Sequence, residues 1–338
     1  MAKPTIIVIG AGVAGLACAL ELAERGLGVE VVERGRAPGE GACSWMAGGM
    51  LAPWCERATT EPEVAERGAQ SIDWWAERFP ETVRKGTLVV AQPRDLPDLT
   101  RFAGRTERFD WLDADRIAEL EPDLAGRFRR ALFFPDEAHL DPRRALAALA
   151  KRLQDRGVTI RFGVELAPHE ARVDIVVDCR GLAARDVLTD LRGVRGEMVM
   201  VRSPDVSLQR PVRMLHPRMP LYIVPRGSSL FMIGATMIES ERRGPVSVRS
   251  AVELLNAAYA LHPAFGEAEI VELGADLRPA FPDNLPDVRQ GGQVLHANGL
   301  FRHGFLLAPA LARRTADAVL SMLQPETNHA DLPQRRRA

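Results

Sequence analysis

Two patterns in this chain have the residue types and spacing to do chemistry. The first is Gly10-Ala11-Gly12-Val13-Ala14-Gly15, with Glu33 downstream. A G-x-G-x-x-G loop lets backbone approach a pyrophosphate, and an acid about twenty residues further on accepts hydrogen bonds from ribose hydroxyls. The second is HANGLFRHGFLLAP, His296 to Pro309. Here Gly299 and Gly304 bracket Arg302 and His303, directly before the apolar run Phe305-Leu306-Leu307-Ala308. A plain core helix has no use for a cation at its mouth. Glycine-spaced backbone and charge beside a buried helix point to a place where a ligand meets the chain.

The elements needed to position the first pattern are legible around it. Thr5 to Ile9 reads TIIVI, a run that suits a strand buried on both faces. Val13, Leu16, Ala17, Leu20 and Ala23 recur at helical spacing, and Gly26 ends them. Val29 to Val32 predicts a second strand, closed by Glu33. Gly10 makes the tight turn, Gly12 admits the pyrophosphate, and Gly15 allows close helix–strand packing. The helix N-terminus adds unpaired N–H groups and a positive dipole end. An acid at position 33 disfavours a 2′-phosphate, so NADP is not expected, while NAD and FAD both stay open. The next segments differ from a regular run of strand–helix units. Arg34 to Gly39 predicts a loop, and CSWMAGGMLAPW (Cys43 to Trp54) is rich in small residues that suit backbone passing close to a flat ring. There is no second G-x-G-x-x-G. That disfavours a flavoprotein with its own NAD(P)H domain; with FAD, the electrons would come from the substrate.

Composition narrows the class. The chain has 338 residues, enough for one large or two ordinary domains. A net charge of −1 gives no global field toward nucleic acid. The terminal Arg335-Arg336-Arg337 reads as a solvated tail. Cys18, Cys43, Cys55 and Cys179 form no C-x-x-C pair and no zinc spacing, so reduced thiols, a cytoplasmic setting and no metal are expected. The start of the chain lacks the cleavage pattern of a signal peptide, and no window is long and apolar enough to span a membrane.

Further along, Glu63 to Phe79 predicts an amphipathic helix, Thr87 to Ala91 a strand, and Asp113 to Leu120 a short helix. Ala131 to Phe134 predicts a strand. Pro142 to Arg156 predicts a helix, with Pro142 in its first turn and Gly157 at its end. Val158 to Phe162 and Asp174 to Asp178 predict strands that rejoin the first sheet. Glu197 to Arg202, Leu221 to Pro225, Ser229 to Ala235 and Ile270 to Ala275 predict strands, with Arg226-Gly227-Ser228 as a hairpin turn. Ser247 to Leu261 predicts a helix.

Five stretches spread over nearly the whole chain resemble the D-amino-acid oxidase superfamily of FAD enzymes, and within it the thiamine-pathway glycine oxidases. They are GAGVAGLACALELAERG (10–26), SWMAGGMLAP (44–53), FFPDEAHLDPRRAL (133–146), YIVPRGSSLFMIGATM (222–237), and LRPAFPDNLPDV (277–288) together with HANGLFRHGFLLAP. The resemblance implies an α/β + β fold. A Rossmann-like doubly wound FAD-binding domain (1–80, 142–195 and 276–330) would carry an inserted antiparallel-sheet substrate domain (81–141 and 196–275), with 331–338 as a tail. It implies FAD, a small amino acid and O2 as reactants, and transfer of the imine to a thiazole-forming enzyme. A homo-oligomer is compatible with it; nucleic acid and membrane are not expected partners. An α-amino acid offers a carboxylate handle, which calls for a guanidinium fork. The resemblance puts that Arg at Arg278, after the strand-like Ile270 to Leu277 and before a turn at Pro279. It puts a second active-site Arg at Arg302, with Tyr222 sharing the carboxylate. Met50 and Met237 would wall the substrate space, and His303 would support it. The implied cofactor-binding set is Gly10, Gly12, Val13, Ala14, Gly15, Glu33, Arg34, Ala42, Cys43, Gly48, Gly49, Met50, Val164, Gly299, Leu300, Phe301, Arg302, His303, Gly304, Phe305 and Leu306. The chain departs from the family pattern at Pro220-Leu221, at Asp178-Cys179-Arg180-Gly181 and at Asn284. Sister readings are a D-amino-acid or sarcosine oxidase or dehydrogenase. Readings of another class are a flavin subunit of an electron-transfer complex and a non-catalytic FAD-binding scaffold.

Overall fold

The computed structural model describes residues 4–216 and 221–324. The 331–338 tail with its arginines, Pro220 and the first three residues lie outside the described residues.

A six-stranded sheet carries the glycine loop. Its order is Asp287–Gly291, Val294–Asn298, Ile175–Asp178, Thr5–Ile9, Gly28–Glu33 and Thr159–Phe162. The last five strands run parallel, and Asp287–Gly291 joins as an antiparallel edge. Thr5–Ile9 sits in the middle, and all of it except Thr5 is buried. On one face the helices Val13–Glu24, Pro142–Asp155 and Gly304–Leu323 bury Leu16, Leu20, Leu146, Leu149 and Leu311 in the main core. The other face is closed by Val164, Leu166 and Ala171 against Ile7, Ile9 and Val176.

The eight-stranded second sheet runs Glu269–Ala280, Arg192–Arg202, Leu230–Gly234, Leu221–Pro225, Val212–Leu215, Thr87–Ala91, Arg130–Phe134 and Asp110–Asp113. It is antiparallel except where Val212–Leu215 runs parallel to Thr87–Ala91. The helix Val248–Leu261 covers one face through Leu254, Ala258 and Leu261.

Several elements differ from the sequence reading. The helix expected over Glu63 to Phe79 is two helices, Pro62–Ala69 and Ser71–Arg78. The break falls where the Ser71 hydroxyl donates to the Gly68 carbonyl at 2.7 Å and Leu306 seats directly on Gly68. The strands Arg192–Arg202 and Glu269–Ala280 are longer than expected and pair along their whole length. Pro279 therefore stands inside a strand, not in a turn. Glu269–Ala280 is the sheet edge, where a missing N–H is tolerated. Asn284 adopts φ 61°, a left-handed position that Asn fills more readily than most residues, and accepts from Arg192 Nη2 at 2.8 Å.

The helix Gly304–Leu323 contains Pro309, which cannot donate to the Phe305 carbonyl four residues back. The fully buried Trp75 supplies the missing donor. Its Nε1–H reaches Phe305 O at 2.8 Å, with the two rings 5.4 Å apart.

Candidate active site

Residues from both sheets line one cavity of about 550 Å³. The parallel sheet contributes the carboxyl ends of its strands: Ile9 and Gly10, Val32 and Glu33, Cys179 and Arg180, and Asn298 and Gly299. That is where open α/β sheets bind ligands. Gly10 holds φ 108°, and a Cβ there would stand 2.7 Å from the Cys179 carbonyl. Glu33 is buried; it accepts from Ala11 N at 2.5 Å and from Gly35 N at 2.7 Å. Two helix N-termini open onto the cavity, at Gly12–Ala14 and at Gly304–Phe305. At the first, Val13 N–H donates to the Ser44 hydroxyl at 3.2 Å and the N–H groups of Ala14 and Gly15 follow; at the second, the His303 side chain does not cap the helix; both offer backbone N–H groups and a positive dipole end. Arg180, unexpected in the sequence, is held by Asp178 (2.9 Å) and Asp186 (3.0 Å), and Asp178 also holds His296 Nδ1 at 2.9 Å.

The second sheet supplies Tyr222 and Arg278. The Arg278 guanidinium lies over Gly196 and donates from Nη1 to the Thr236 carbonyl at 3.0 Å. Among the described residues no carboxylate pairs with it. Burial pulls its pKa down, against the opposing pull of Tyr222 and Cys43. Tyr222 stands against Gly48, where a Cβ would come within 2.7 Å of its ring. Burial raises its hydroxyl above the ordinary value, and Arg278 pulls the other way. Arg226 fixes the backbone beneath this ring, donating to Leu140 O (3.0 Å), Ala47 O (3.2 Å) and Gly48 O (2.7 Å). Asp276, two residues before Arg278 on the same strand face, also lines the cavity, and burial raises its carboxyl.

Arg302 lines the cavity as well, and it is paired. Its Nη2 lies 2.8 Å from Glu56 Oε2 and donates to Thr59 Oγ1 at 2.8 Å. Glu56 also meets Arg213 (3.2 Å) and stands 3.8 Å from His303 Nδ1. Burial alone would raise Glu56, but Arg302, Arg213 and His303 together hold it at about 2. His303 is buried, and burial pushes its imidazole down to about 4 against the pull of Glu56.

Most residues of the sequence-derived set come together here: Gly10, Gly12, Val13, Ala14, Glu33, Arg34, Ala42, Cys43, Gly48 and Val164, with Tyr222, Arg278, Gly299, Leu300, Phe301, Arg302, Gly304 and Phe305. Six lie off the cavity wall. Gly15 packs on the Gly10 carbonyl, Gly49 against Leu140 O and Pro142, and Leu306 on Gly68. Met50 pairs with His139 and packs against the cluster that holds Ala52, Cys55 and Phe134. His303 stands behind Arg302, beside Glu56. Met237 is 57% exposed, whereas Thr236 before it is buried with its hydroxyl against Glu197, so the two side chains point apart. Sequence reasoning did not reach Glu56, Arg213, Arg226 or Asp276. Only Arg226 lay in a quoted motif, and none has a local spacing that marks it.

Residues 5–318 match the family described as FAD dependent oxidoreductase (DAO). The chain is 57% identical to the Rhizobium etli protein named "Putative thiamine biosynthesis oxidoreductase ThiO", over 95% of this chain and 98% of that one. It is 27% identical to the Synechocystis "Bifunctional protein ThiO/ThiG", covering 98% of this chain and 54% of that longer protein. The crystal structure of glycine oxidase from Geobacillus kaustophilus superposes with a TM-score of 0.78 at 26% identity, covering 94% of this chain and 95% of that one.

Proposed function

The chain belongs to the FAD-dependent oxidoreductase family, and on that premise we propose that it oxidatively deaminates glycine or another small amino acid. Its cofactor is FAD, which when bound would supply a two-electron acceptor for the substrate Cα–H and pass those electrons to O2. The substrate loses that hydrogen with its electron pair and one N–H proton, and leaves as the imine.

The cavity residues fit this cofactor. Gly12 opens a cradle at the first turn of its helix, rimmed by the Ser44 hydroxyl that accepts from Val13 N, and this suits a pyrophosphate. Glu33 retains lone pairs for ribose hydroxyls beyond its two backbone donors. The open N-terminus at Gly304 favours negative charge close by. We keep the division in which residues 1–80, 142–195 and 276–330 serve cofactor binding and 81–141 with 196–275 the substrate side. The paired strands Arg192–Arg202 and Glu269–Ala280 cross both boundaries and fasten the two parts together.

One observation carries the substrate reading. Arg278 is a cavity-lining guanidinium with a single backbone acceptor and no carboxylate partner among the described residues. An uncompensated guanidinium beside a tyrosine is a receptor for a carboxylate, bound through two parallel N–H donors. Tyr222, seated on Gly48, adds a hydroxyl donor, and Arg302 bounds the same space. These groups bind and orient the Cα–H, and the surrounding apolar wall excludes water. We infer that the imine passes to a thiamine-pathway partner; the joining of ThiO and ThiG in one Synechocystis chain supports this. No helix among the described residues is long and apolar enough to cross a membrane.

The test is anaerobic mixing of the purified holoenzyme with glycine, sarcosine and D-alanine. Bleaching of the flavin by glycine, with peroxide formed on readmitting air, is expected. Bound flavin that none of the three amines bleaches refutes the reading.

A further inference from the structure

The two guanidiniums near Tyr222 differ in what holds them. Arg278 has no carboxylate partner among the described residues, whereas Arg302 is held by Glu56 and Thr59 through one nitrogen. Glu56 sits on the five-residue helix Pro53–Arg57, with its side chain 17% exposed. Its other oxygen meets Arg213, which lies off the cavity wall, against Cys55 Sγ and over the Phe102 ring at 5.3 Å. One carboxylate therefore spans a cavity-lining cation and a buried one. Any second anion approaching Arg302 must also approach Glu56, and like charges brought together out of water repel strongly.

We infer that Glu56 is a positioning residue that sets charge specificity: it occupies Arg302, leaves Arg278 to take one carboxylate, and so makes the site select monocarboxylates over dicarboxylates. This rests on the amino-acid reading of the site. The selectivity belongs to Glu56 and not to cavity size. Removing its charge leaves Arg302, on the cavity wall, and Arg213, behind it, both without a carboxylate partner.

The experiment titrates the flavin absorbance of the holoenzyme with acetate and with malonate. It requires no turnover, so a chain that fails to oxidise glycine can still pass or fail it. In the wild type, acetate is expected to bind more tightly than malonate. In Glu56→Gln the Kd ratio should move toward malonate by about tenfold or more, the scale of one unscreened close charge pair. Glu56→Asp, which keeps the charge, should hold the wild-type order; a merely structural role would show no such split between the amide and the shorter acid. If Glu56→Gln yields no holoenzyme, Glu56→Gln/Arg213→Met removes the orphaned buried cation, and the same ratio is measured. An unchanged ratio in the amide variant, a wild type that binds malonate as tightly as acetate, or no response to either anion overturns the proposal.

Discussion

Replacing Arg278 with Met separates function from stability in a way few active-site changes do. The guanidinium makes one hydrogen bond, to Thr236 O at 3.0 Å, and no ion pair among the described residues. Its burial already draws its pKa down, so the fold holds a charge it does not compensate. Removing it orphans one carbonyl, at about 1–3 kcal/mol, and relieves a buried unpaired cation of similar cost. Net stability should then change by less than about 1 kcal/mol, or rise. Substrate binding loses a two-bond charged fork, at about 1.5–3 kcal/mol per bond. At about 1.4 kcal/mol per decade, kcat/KM for glycine should fall by roughly 10²- to 10⁴-fold. The assay is peroxide release against glycine concentration, with flavin content by absorbance and Tm by flavin fluorescence on the same preparation. A loss under about tenfold would refute the assignment of Arg278 as the carboxylate anchor. A fall in Tm that tracks the activity would instead make Arg278 a structural residue.

Three further outcomes follow from neighbouring contacts. Gly196→Ala puts a methyl where the Arg278 guanidinium lies, so KM should rise by about tenfold or more with FAD still bound, as steady-state kinetics on flavin-normalised enzyme will show. Glu137 is buried, accepts from Cys55 N at 2.7 Å, and is pushed up to about 8 by burial. Its folded value exceeds its ordinary one of 4.5, so its contribution is full below that and is lost as pH rises through about 8. Urea unfolding of the wild type should therefore weaken by a few kcal/mol across that window relative to Glu137→Gln; parallel pH curves would contradict this. Trp75→Phe should cost about 1–3 kcal/mol by stranding Phe305 O, and less in a Pro309→Ala background, where residue 309 supplies the donor itself; additive costs in the double-mutant cycle would rule out that compensation.

Elements whose identity rests on local pattern were legible from sequence. TIIVI, the helix after the glycine loop and the helix opening at Pro142 each carry their signal within one turn or strand. The second sheet was harder to read because its strands draw on distant partners. DWLD at Asp110–Asp113 is acidic at both ends and alternates weakly, yet it pairs with Arg130–Phe134 as an edge. Val212–Leu215 is too short to stand out, and it is fixed by pairing with Thr87–Ala91 more than a hundred residues earlier. The glycines at 193 and 196 lower strand propensity, so Arg192–Arg202 read shorter than it is. Gly196 is there for the Arg278 guanidinium laid across it, a contact that no local rule contains.

The candidate site divides along the same line. The cofactor cradle is continuous in sequence, because one strand–loop–helix unit supplies both the turn and the charge that faces a phosphate. The proposed substrate groups come from two separate strands, the turn at Arg302 and one short helix, and their environment decides what each can do. PWCER at Pro53–Arg57 has no amphipathic period to single out its glutamate. Only the fold brings Glu56 to Arg302, Arg213 and His303, and the two guanidiniums foremost hold it ionised against its own burial. Arg302 and Arg278 look alike in sequence, since each is a cation beside an apolar stretch. The structure separates them by one carboxylate: Arg302 is paired with Glu56, whereas Arg278 has no carboxylate partner among the described residues, the difference on which the proposed receptor role of Arg278 rests.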